Sequence, residues 1–195
     1  MTMAALSYFR PSLTPCTTLP LSIPLSLPAC ASLSPGADLL VKASSGTGRT
    51  MAYMIPCLDQ LVSSLSDSPT RLLAGAGTPV EVSLMVVGGM SMDGEGRRLQ
   101  QAPCQVLVAT PARLLEHLQE THGMRNRMQQ LKLFVLEDLD RMVEMGFTRT
   151  IHAILSLLPP TRQTLLFSNA LSSEVQDLSQ LILKADYVSV DLESA

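Results

Sequence analysis

The chain has 195 residues, 46% of them hydrophobic and 16% charged, which is enough for one domain with a buried core and a tail. A formal net charge of −3 excludes a broadly basic nucleic-acid-binding protein, so nucleic acid would have to bind at local sites. Aromatic residues make up only 4% of the chain and Trp is missing, which argues against base-stacking platforms.

Residues 1–36 are rich in Pro and Ser, and we expect them to form a poorly ordered lead-in. The segment is almost uncharged, so a membrane span, a secretory signal and an organelle transit peptide are the alternatives. Frequent proline argues against the first two, because each proline removes a helix hydrogen bond. A transit peptide would contain more arginine. We therefore expect no membrane contact. The prolines are Pro11, Pro15, Pro20, Pro24, Pro28 and Pro35.

Residues 37–195 are predicted to form one α/β domain in which short apolar strands alternate with helices. Apolar runs without polar alternation, separated by helices, indicate a mostly parallel sheet covered on both faces. Strands are expected at residues 39–41, 82–87, 106–108, 131–136, 164–167 and 187–190. Helices are expected at residues 49–65, with a kink at Pro56, and at 111–120, 140–145, 149–158 and 172–184.

The cysteines and histidines lack metal-ligand spacing. The four cysteines contain no C-x-x-C pair and fit neither a zinc site nor a small disulfide scaffold, so a reducing compartment inside the cell is expected. Which compartment that is does not follow from the sequence. The histidines are predicted to be ordinary surface or packing residues; they are His117, His122 and His152.

Four of the predicted strands are followed by hydroxyl, glycine or carboxylate residues. Ligands of open α/β sheets bind at the carboxyl ends of the strands, so this arrangement indicates a functional site along one edge of the sheet. The segments concerned are residues 43–50, 110–113, 137–140 and 168–170.

The segment after the first of these strands is close to the phosphate-loop pattern G/A-x-x-x-x-G-K-[ST]. In such a loop, glycines let backbone N–H groups surround phosphate oxygens, and the next helix adds its positive end. Gly46, Gly48 and Thr50 are in place, whereas Arg49 stands where the pattern has Lys. A plain strand-to-helix turn is the alternative, but a strand before the loop and a helix after it favour phosphate binding. The larger, planar guanidinium is not equivalent to the compact ammonium.

Glu137 and Asp138 follow another apolar strand and form an acidic pair. In phosphoryl transfer one carboxylate holds Mg²⁺, usually through water, and a neighbouring group orients the attacking water. An isolated acidic pair at a strand end is more often a solvated cap. Opposite a phosphate loop, it indicates a nucleotide site.

From about residue 15 to residue 190 the chain resembles the first RecA-like domain of the DEAD-box ATP-dependent RNA helicases. The segment L-F-V-L-E-D-L-D-R-M-V-E-M-G-F at residues 133–147 matches V-L-D-E-A-D-R-M-L-D-M-G-F of the family. The segment R-Q-T-L-L-F-S-N-A at 162–170 corresponds to R-Q-T-L-L-F-S-A-T, and V-L-V-A-T-P-A-R-L at 106–114 contains the T-P-G-R counterpart. Gly88 and Gly89 match the GG motif, and P-T-R-L-L at 69–73 resembles P-T-R-E-L.

The resemblance implies a three-layer RecA-like P-loop NTPase domain that couples Mg-ATP binding and hydrolysis to RNA binding and remodelling. It implies that the ATP phosphates contact Ser45, Gly46, Thr47, Gly48, Arg49 and Thr50. It places Mg²⁺ at Thr50 and Glu137, and catalysis at Arg49, Glu137, Asp138 and Ser168, the last of which couples hydrolysis to strand separation. The RNA-binding positions it implies are Thr70, Arg71, Gly89, Thr110 and Arg113.

Departures from the family pattern predict impaired turnover. Arg49 replaces Lys, and Glu137 and Asp138 have exchanged lengths, which displaces each carboxylate by one methylene. The coupling triplet S-A-T has become S-N-A at residues 168–170 and has lost its Thr hydroxyl. The Gln that reads adenine in the family has no counterpart, since Pro15 occupies its place.

Residues 65–80 are too few for the buried strand and the helix that the family places around P-T-R, so one strand–helix unit is expected to be missing. The 195 residues also contain no counterpart of the second RecA-like domain, which supplies arginine fingers and half of the RNA cleft. We therefore expect weak, sequence-independent RNA binding, with a second helicase domain or a protein as partner. Two alternatives remain: a non-catalytic RNA- or protein-binding module with a degenerate nucleotide pocket, and a truncated product that folds poorly.

Overall fold

The computed structural model describes residues 3–7, 36–66, 84–102 and 104–192. The strands are β1 (Met3–Ser7), β2 (Leu39–Lys42), β3 (Leu84–Val86), β4 (Val106–Ala109), β5 (Leu131–Leu136), β6 (Gln163–Ser168) and β7 (Val188–Asp191). The helices are α1 (Arg49–Ser66), α2 (Met92–Gln101), α3 (Pro111–Glu120), α4 (Met124–Met128), α5 (Leu139–Glu144), α6 (Thr148–Leu155) and α7 (Ser173–Ile182).

All the strands and helices predicted for residues 37–195 are confirmed, with boundaries that shift by three residues or fewer. Helix α1 continues through Pro56 as a single element. Three elements were not expected, namely β1, α2 and α4. Strand β1 lies inside the segment predicted to be a poorly ordered lead-in, of which the structure describes residues 3–7 and 36. Residues 8–35 and 67–83 lie outside the described residues, and so do Thr70 and Arg71.

The described strands form one sheet in the order β3-β4-β1-β5-β6-β2-β7. Every neighbouring pair is parallel except the two pairs that involve β1, which runs antiparallel to both β4 and β5. The carboxyl ends of β2, β4, β5 and β6 therefore meet at one edge of the sheet. The predicted mostly parallel sheet is confirmed.

Helices cover both faces of the sheet and make the domain three-layered. On one face, α1 packs through Ala52, Tyr53 and Leu61 against residues of β2, β5 and β6. On the other face, apolar residues of α2 to α7 form a larger cluster with the opposite side of the same strands. This arrangement explains why β5 and β6 are apolar on both faces.

Local signals set where several helices begin. The Ser91 hydroxyl accepts a hydrogen bond from the Gly94 N–H at 3.3 Å and caps α2, and Ser172 caps α7 through the Val175 N–H at 3.3 Å. Pro111 opens α3, where a missing N–H costs nothing. None of the helices in the described ranges is both long and apolar enough to cross a membrane.

Candidate functional site

The predicted phosphate loop connects β2 to α1. Gly46 and Gly48 have φ values of +82° and +89°, in the left-handed region that favours glycine. The Thr47 hydroxyl donates to the Ser44 carbonyl at 2.7 Å and tightens the turn. The loop also rests on β6, because the Ala43 N–H donates to the Ser168 carbonyl at 3.0 Å.

Arg49 lies at the start of α1 with its side chain 5% exposed. Its Nη2 donates to the Ser45 hydroxyl at 3.1 Å and to the Asp138 carboxylate. Its Nη1 is buried and makes no hydrogen bond to any described residue. A buried cationic donor without a partner is costly unless an anion reaches it, so this nitrogen indicates an anion-binding position.

Glu137 receives two hydroxyl donors from α1. Thr50 Oγ1 donates to Glu137 Oε1 and Tyr53 Oη donates to Oε2, each at 2.8 Å. The Tyr53 ring is buried and packs on Phe167 with ring centroids 5.2 Å apart. Burial, together with the nearby Glu137 carboxylate, raises the pKa of Tyr53 well above its ordinary value, so the phenol remains a donor at neutral pH.

Asp138 sits between β5 and α5 in the left-handed conformation, with φ +59°. Among the described residues it is the one non-glycine with a positive φ. Asp tolerates this region better than most residues because its side chain can bond locally. The conformation turns the chain sharply, so that adjacent residues Glu137 and Asp138 contact different residues of the phosphate loop and α1.

Ser168 joins the ends of β5 and β6. Its hydroxyl donates to the Ala170 carbonyl at 2.7 Å and accepts from the Asp140 N–H at 3.2 Å. The Asp140 carboxylate lies 3.2 Å from the same hydroxyl and accepts from the Asn169 N–H at 3.3 Å. The segment at residues 168–170 is therefore held to the acidic segment although its Thr has been lost.

A buried carboxylate, Glu95, organises the other part of the same edge. Its Oε1 accepts from the N–H groups of Gly88, Gly89 and Met90 at 2.7, 3.0 and 2.9 Å. Its Oε2 lies 3.0 Å from the His117 ring, which is fully buried. Burial alone would raise the pKa of Glu95, but the N–H donors and the His117 ring lower it to about 2.

Arg113 and Thr110 lie beside this carboxylate. Arg113 Nε is 3.7 Å from Glu95 Oε2, and its Nη1 is 3.4 Å from Glu116. A Cβ added to Gly88, whose φ is +118°, would lie 3.9 Å from the Thr110 hydroxyl, so the Gly88 backbone runs directly past this exposed threonine. The structure thus brings together three predicted RNA-binding residues: Gly89, Thr110 and Arg113.

Residues 25–178 match the family model for the DEAD/DEAH box helicase. The chain belongs to this family. It is 39% identical over 171 residues to "DEAD-box ATP-dependent RNA helicase 26" of Oryza sativa subsp. japonica, covering 78% of this chain and 32% of that protein. It is 34% identical to "Probable DEAD-box ATP-dependent RNA helicase 48" of Arabidopsis thaliana, covering 80% and 23%.

Solved DEAD-box structures share the fold. The crystal structure of a DEAD box protein from the hyperthermophile Methanococcus jannaschii superimposes with a TM-score of 0.61 at 23% identity. The match covers 80% of this chain and 45% of that one. The predicted RecA-like fold is therefore confirmed. The chain spans about a third or less of the helicases named above.

The residues of the predicted phosphate loop and acidic segment are chemically compatible with Mg-ATP. Arg49 offers a buried cationic donor that lacks a partner, and an anionic phosphate would satisfy it. Thr50 and Glu137 provide the oxygen ligands that Mg²⁺ prefers. The residues of the phosphate loop and acidic segment lie together as the resemblance implied.

Sequence reasoning missed three residues of this edge: Tyr53, Glu95 and His117. Tyr53 follows Thr50 by three positions on α1, and this spacing places the two hydroxyls on one helix face. Glu95 lies in the first turn of a helix that was not predicted. His117 was expected to be a surface or packing residue, but its two ring nitrogens contact Glu95 and Thr121.

Proposed function

We propose that this chain is the ATP-binding half of a DEAD-box RNA helicase, which binds Mg-ATP and RNA weakly and hydrolyses ATP slowly. The observation that carries the proposal is the 2.8 Å hydrogen bond from Thr50 Oγ1 to Glu137 Oε1. It joins the phosphate loop to the acidic segment across 87 residues of chain. Bound Mg-ATP would supply the phosphoryl group that is transferred to water.

Retained binding follows from the residues that face the loop. Arg49 Nη1 can donate to a phosphate without giving up another hydrogen bond. Thr50 and Glu137 can contribute oxygen atoms to Mg²⁺, and Tyr53 holds Glu137 in place. These contacts favour the bound nucleotide in its ground state and supply affinity rather than rate.

Slow turnover follows from the position of Asp138. In the family this residue orients the attacking water, but here its carboxylate is paired with Arg49. Asp is also one methylene shorter than the Glu of the family pattern. A carboxylate that is too short and bound to a cation is a poor base and positions water poorly, so the penalty falls on the transition state.

RNA binding is supported by the loop around Glu95. Three backbone N–H groups are fixed by one carboxylate, and Arg113 lies beside it with a partly exposed guanidinium. Because those N–H groups already donate to Glu95, the Arg113 guanidinium is the group that could contact RNA phosphates, without reading bases. Since few phosphates would be contacted, affinity should be weak and should fall as salt rises.

A non-catalytic RNA-binding module is the second candidate. It is favoured by a difference between the two parts of the edge. Glu95 is held by hydrogen bonds that include one to His117, whereas the charges of Arg49 and Asp138 neutralise each other. RNA binding could then persist where ATP hydrolysis has been lost. A second helicase domain or a protein would supply the opposite side of the cleft.

The test is nucleotide-dependent thermal stability of the whole chain and of two matched variants. Mg-ATP should raise the melting temperature of the parent. It should do the same for the control variant Thr150→Val, which replaces a threonine in α6. Thr50→Val should show a smaller rise, because it loses the hydroxyl at Glu137. If millimolar Mg-ATP shifts none of the three proteins, the nucleotide proposal is wrong. RNA binding without any ATP hydrolysis would favour the second candidate.

A further inference from the structure

A gap one strand wide separates β4 from β5 in the sheet. Strands β4 and β5 follow one another along the chain and run parallel to the rest of the sheet, yet they do not pair with each other. Residues 3–7 fill the gap as β1, antiparallel to both neighbours. Ala4 stands opposite Val108 on one side and Val135 on the other.

The gap needs an occupant because its two walls are buried. Val106 and Ala109 of β4 and Phe134, Val135 and Leu136 of β5 are 3% exposed or less. An unfilled gap would leave the facing N–H and C=O groups of both strands unpaired inside the protein, and buried backbone groups are almost always paired. The occupant must therefore be an extended segment that can hydrogen bond on both edges.

Residues 3–7 have the composition that this position requires. They read M-A-A-L-S, with no charge and no proline. A proline would remove a ladder donor. Residues 1–10 are the longest proline-free stretch before residue 36, because prolines recur from Pro11 to Pro35.

The attachment of β1 differs from that of the other strands. β2, β3, β4, β5 and β6 each lead within a few residues into a helix that packs on the sheet. β1 is followed by a much longer connection, because 31 residues, 8–38, separate it from β2. Main-chain pairing with β4 and β5 on two sides fixes its register.

We propose that the gap between β4 and β5 is a strand-acceptor site. Residues 3–7 occupy it as a separable element. When this strand is disabled, the gap accepts the same uncharged, proline-free strand from a second copy of the chain. Recognition of this kind uses the main chain for affinity and the alternating side chains for register. The partner chemistry is therefore an extended segment with the sequence and polarity of residues 3–7.

The first test measures register in the whole chain with paired cysteines. Ala4→Cys with Val108→Cys should form an intramolecular disulfide under mild oxidation, identified by peptide mapping, because these residues are directly opposite. Ala4→Cys with Leu107→Cys is the matched control, since successive residues of a strand point to opposite faces. Linkage of the first pair and not of the second supports the proposal. Equal linkage of both, or of neither, overturns it.

The second test asks whether the gap accepts a strand in trans. Ala5→Pro should lower the melting temperature of the full chain by about 5 °C or more, whereas Ala5→Thr should change it little. A synthetic peptide of residues 1–10, present during refolding, should restore the Ala5→Pro protein, and the same peptide carrying Ala5→Pro should not. An unchanged melting temperature for Ala5→Pro shows that β1 is not the occupant. A destabilised Ala5→Pro protein that a hundredfold excess of peptide leaves unrestored overturns the acceptor site.

Discussion

The Arg49 guanidinium at the start of α1 pairs with the Asp138 carboxylate that follows β5. Both residues depart from the family pattern, and their departures are complementary in length: a longer cation faces a shorter anion. The two substitutions therefore satisfy each other, and the Asp138 carboxylate is bound to a cation rather than free.

Removing the charge of Asp138 should destabilise the domain. Asp138→Asn suits the left-handed backbone and keeps one acceptor oxygen, so it removes the charge without straining the backbone. Since Arg49 is buried and Asp138 is partly exposed, we expect a loss of about 2 kcal/mol in the free energy of unfolding, measured by urea denaturation. Arg49→Met combined with Asp138→Asn should recover most of it. Equal stability of parent and single variant would contradict the buried pair.

Tyr53 provides a second test of the pocket, through alkaline stability. Its folded pKa lies above the unfolded value of 10, so its contribution is complete below pH 10 and is lost as the pH rises further. Tyr53→Phe keeps the ring and removes the donor to Glu137, and it should lower stability at neutral pH by about 1–2 kcal/mol. The variant should also lose part of the alkaline slope. Tyr187→Phe, at a half-buried tyrosine, should leave both quantities unchanged.

Local patterns account for what the sequence predicted correctly, and long-range pairing accounts for what it missed. Residues 131–136 read as a buried strand because they are almost continuously apolar. Strand β1 has no β-branched residue, and its partners are about a hundred residues or more away, so no local signal marks it. Helix α2 contains Gly94 and Gly96, which lower helix propensity and hide it.

In the candidate sites too, local patterns could be predicted from the sequence and long-range contacts could not. The glycine spacing around Arg49 and the acidic pair after β5 predict a nucleotide site from the sequence alone. The pairing of Arg49 with Asp138 joins residues 89 apart, and that of Glu95 with His117 joins residues 22 apart. Neither spacing follows a helix or strand period, so the sequence does not predict these contacts.

Glu95 should make the fold sensitive to acid. Its folded pKa of about 2 lies below the unfolded value of 4.5, so its contribution is present above pH 4.5 and is lost as the pH falls towards 2. The shift corresponds to roughly 3 kcal/mol at neutral pH. Glu95→Gln should therefore be less stable at pH 7 and should show a flatter pH profile between 4.5 and 2. Glu116→Gln, at an exposed carboxylate near Arg113, is the control and should follow the parent.

A charge at the centre of the sheet should be far more damaging than the same charge at its edge. Val135 in β5 is completely buried, whereas Val188 in the edge strand β7 is 38% exposed. Val135→Asp should lower the free energy of unfolding by about 3 kcal/mol or more, because the buried carboxylate would have no partner. Val188→Asp should cost less than about 1 kcal/mol. Equal denaturation midpoints for the two variants would refute the assignment of β5 to the sheet centre.

The proposed nucleotide site should turn over ATP faster when its three departures from the family pattern are reversed together. The variant combines Arg49→Lys, Glu137→Asp and Asp138→Glu. It removes the guanidinium that holds residue 138 and lengthens the carboxylate by one methylene, so the carboxylate can reach the attacking water. Since these changes act on the transition state, kcat should rise about tenfold or more, while nucleotide affinity should change by less than about threefold.

The measurement is RNA-stimulated ATPase activity with a second helicase domain supplied by fusion or in trans, since arginine fingers lie on that domain in the family. The matched control is Arg49→Lys alone, which restores the cation but leaves Asp138 one methylene short, and it should gain much less activity than the triple variant. Brisk RNA-stimulated ATPase of the parent would show that the pair of Arg49 and Asp138 does not restrain catalysis. If neither parent nor triple variant binds nucleotide, the pocket is not a nucleotide site, and the loop around Glu95 would be the remaining functional surface.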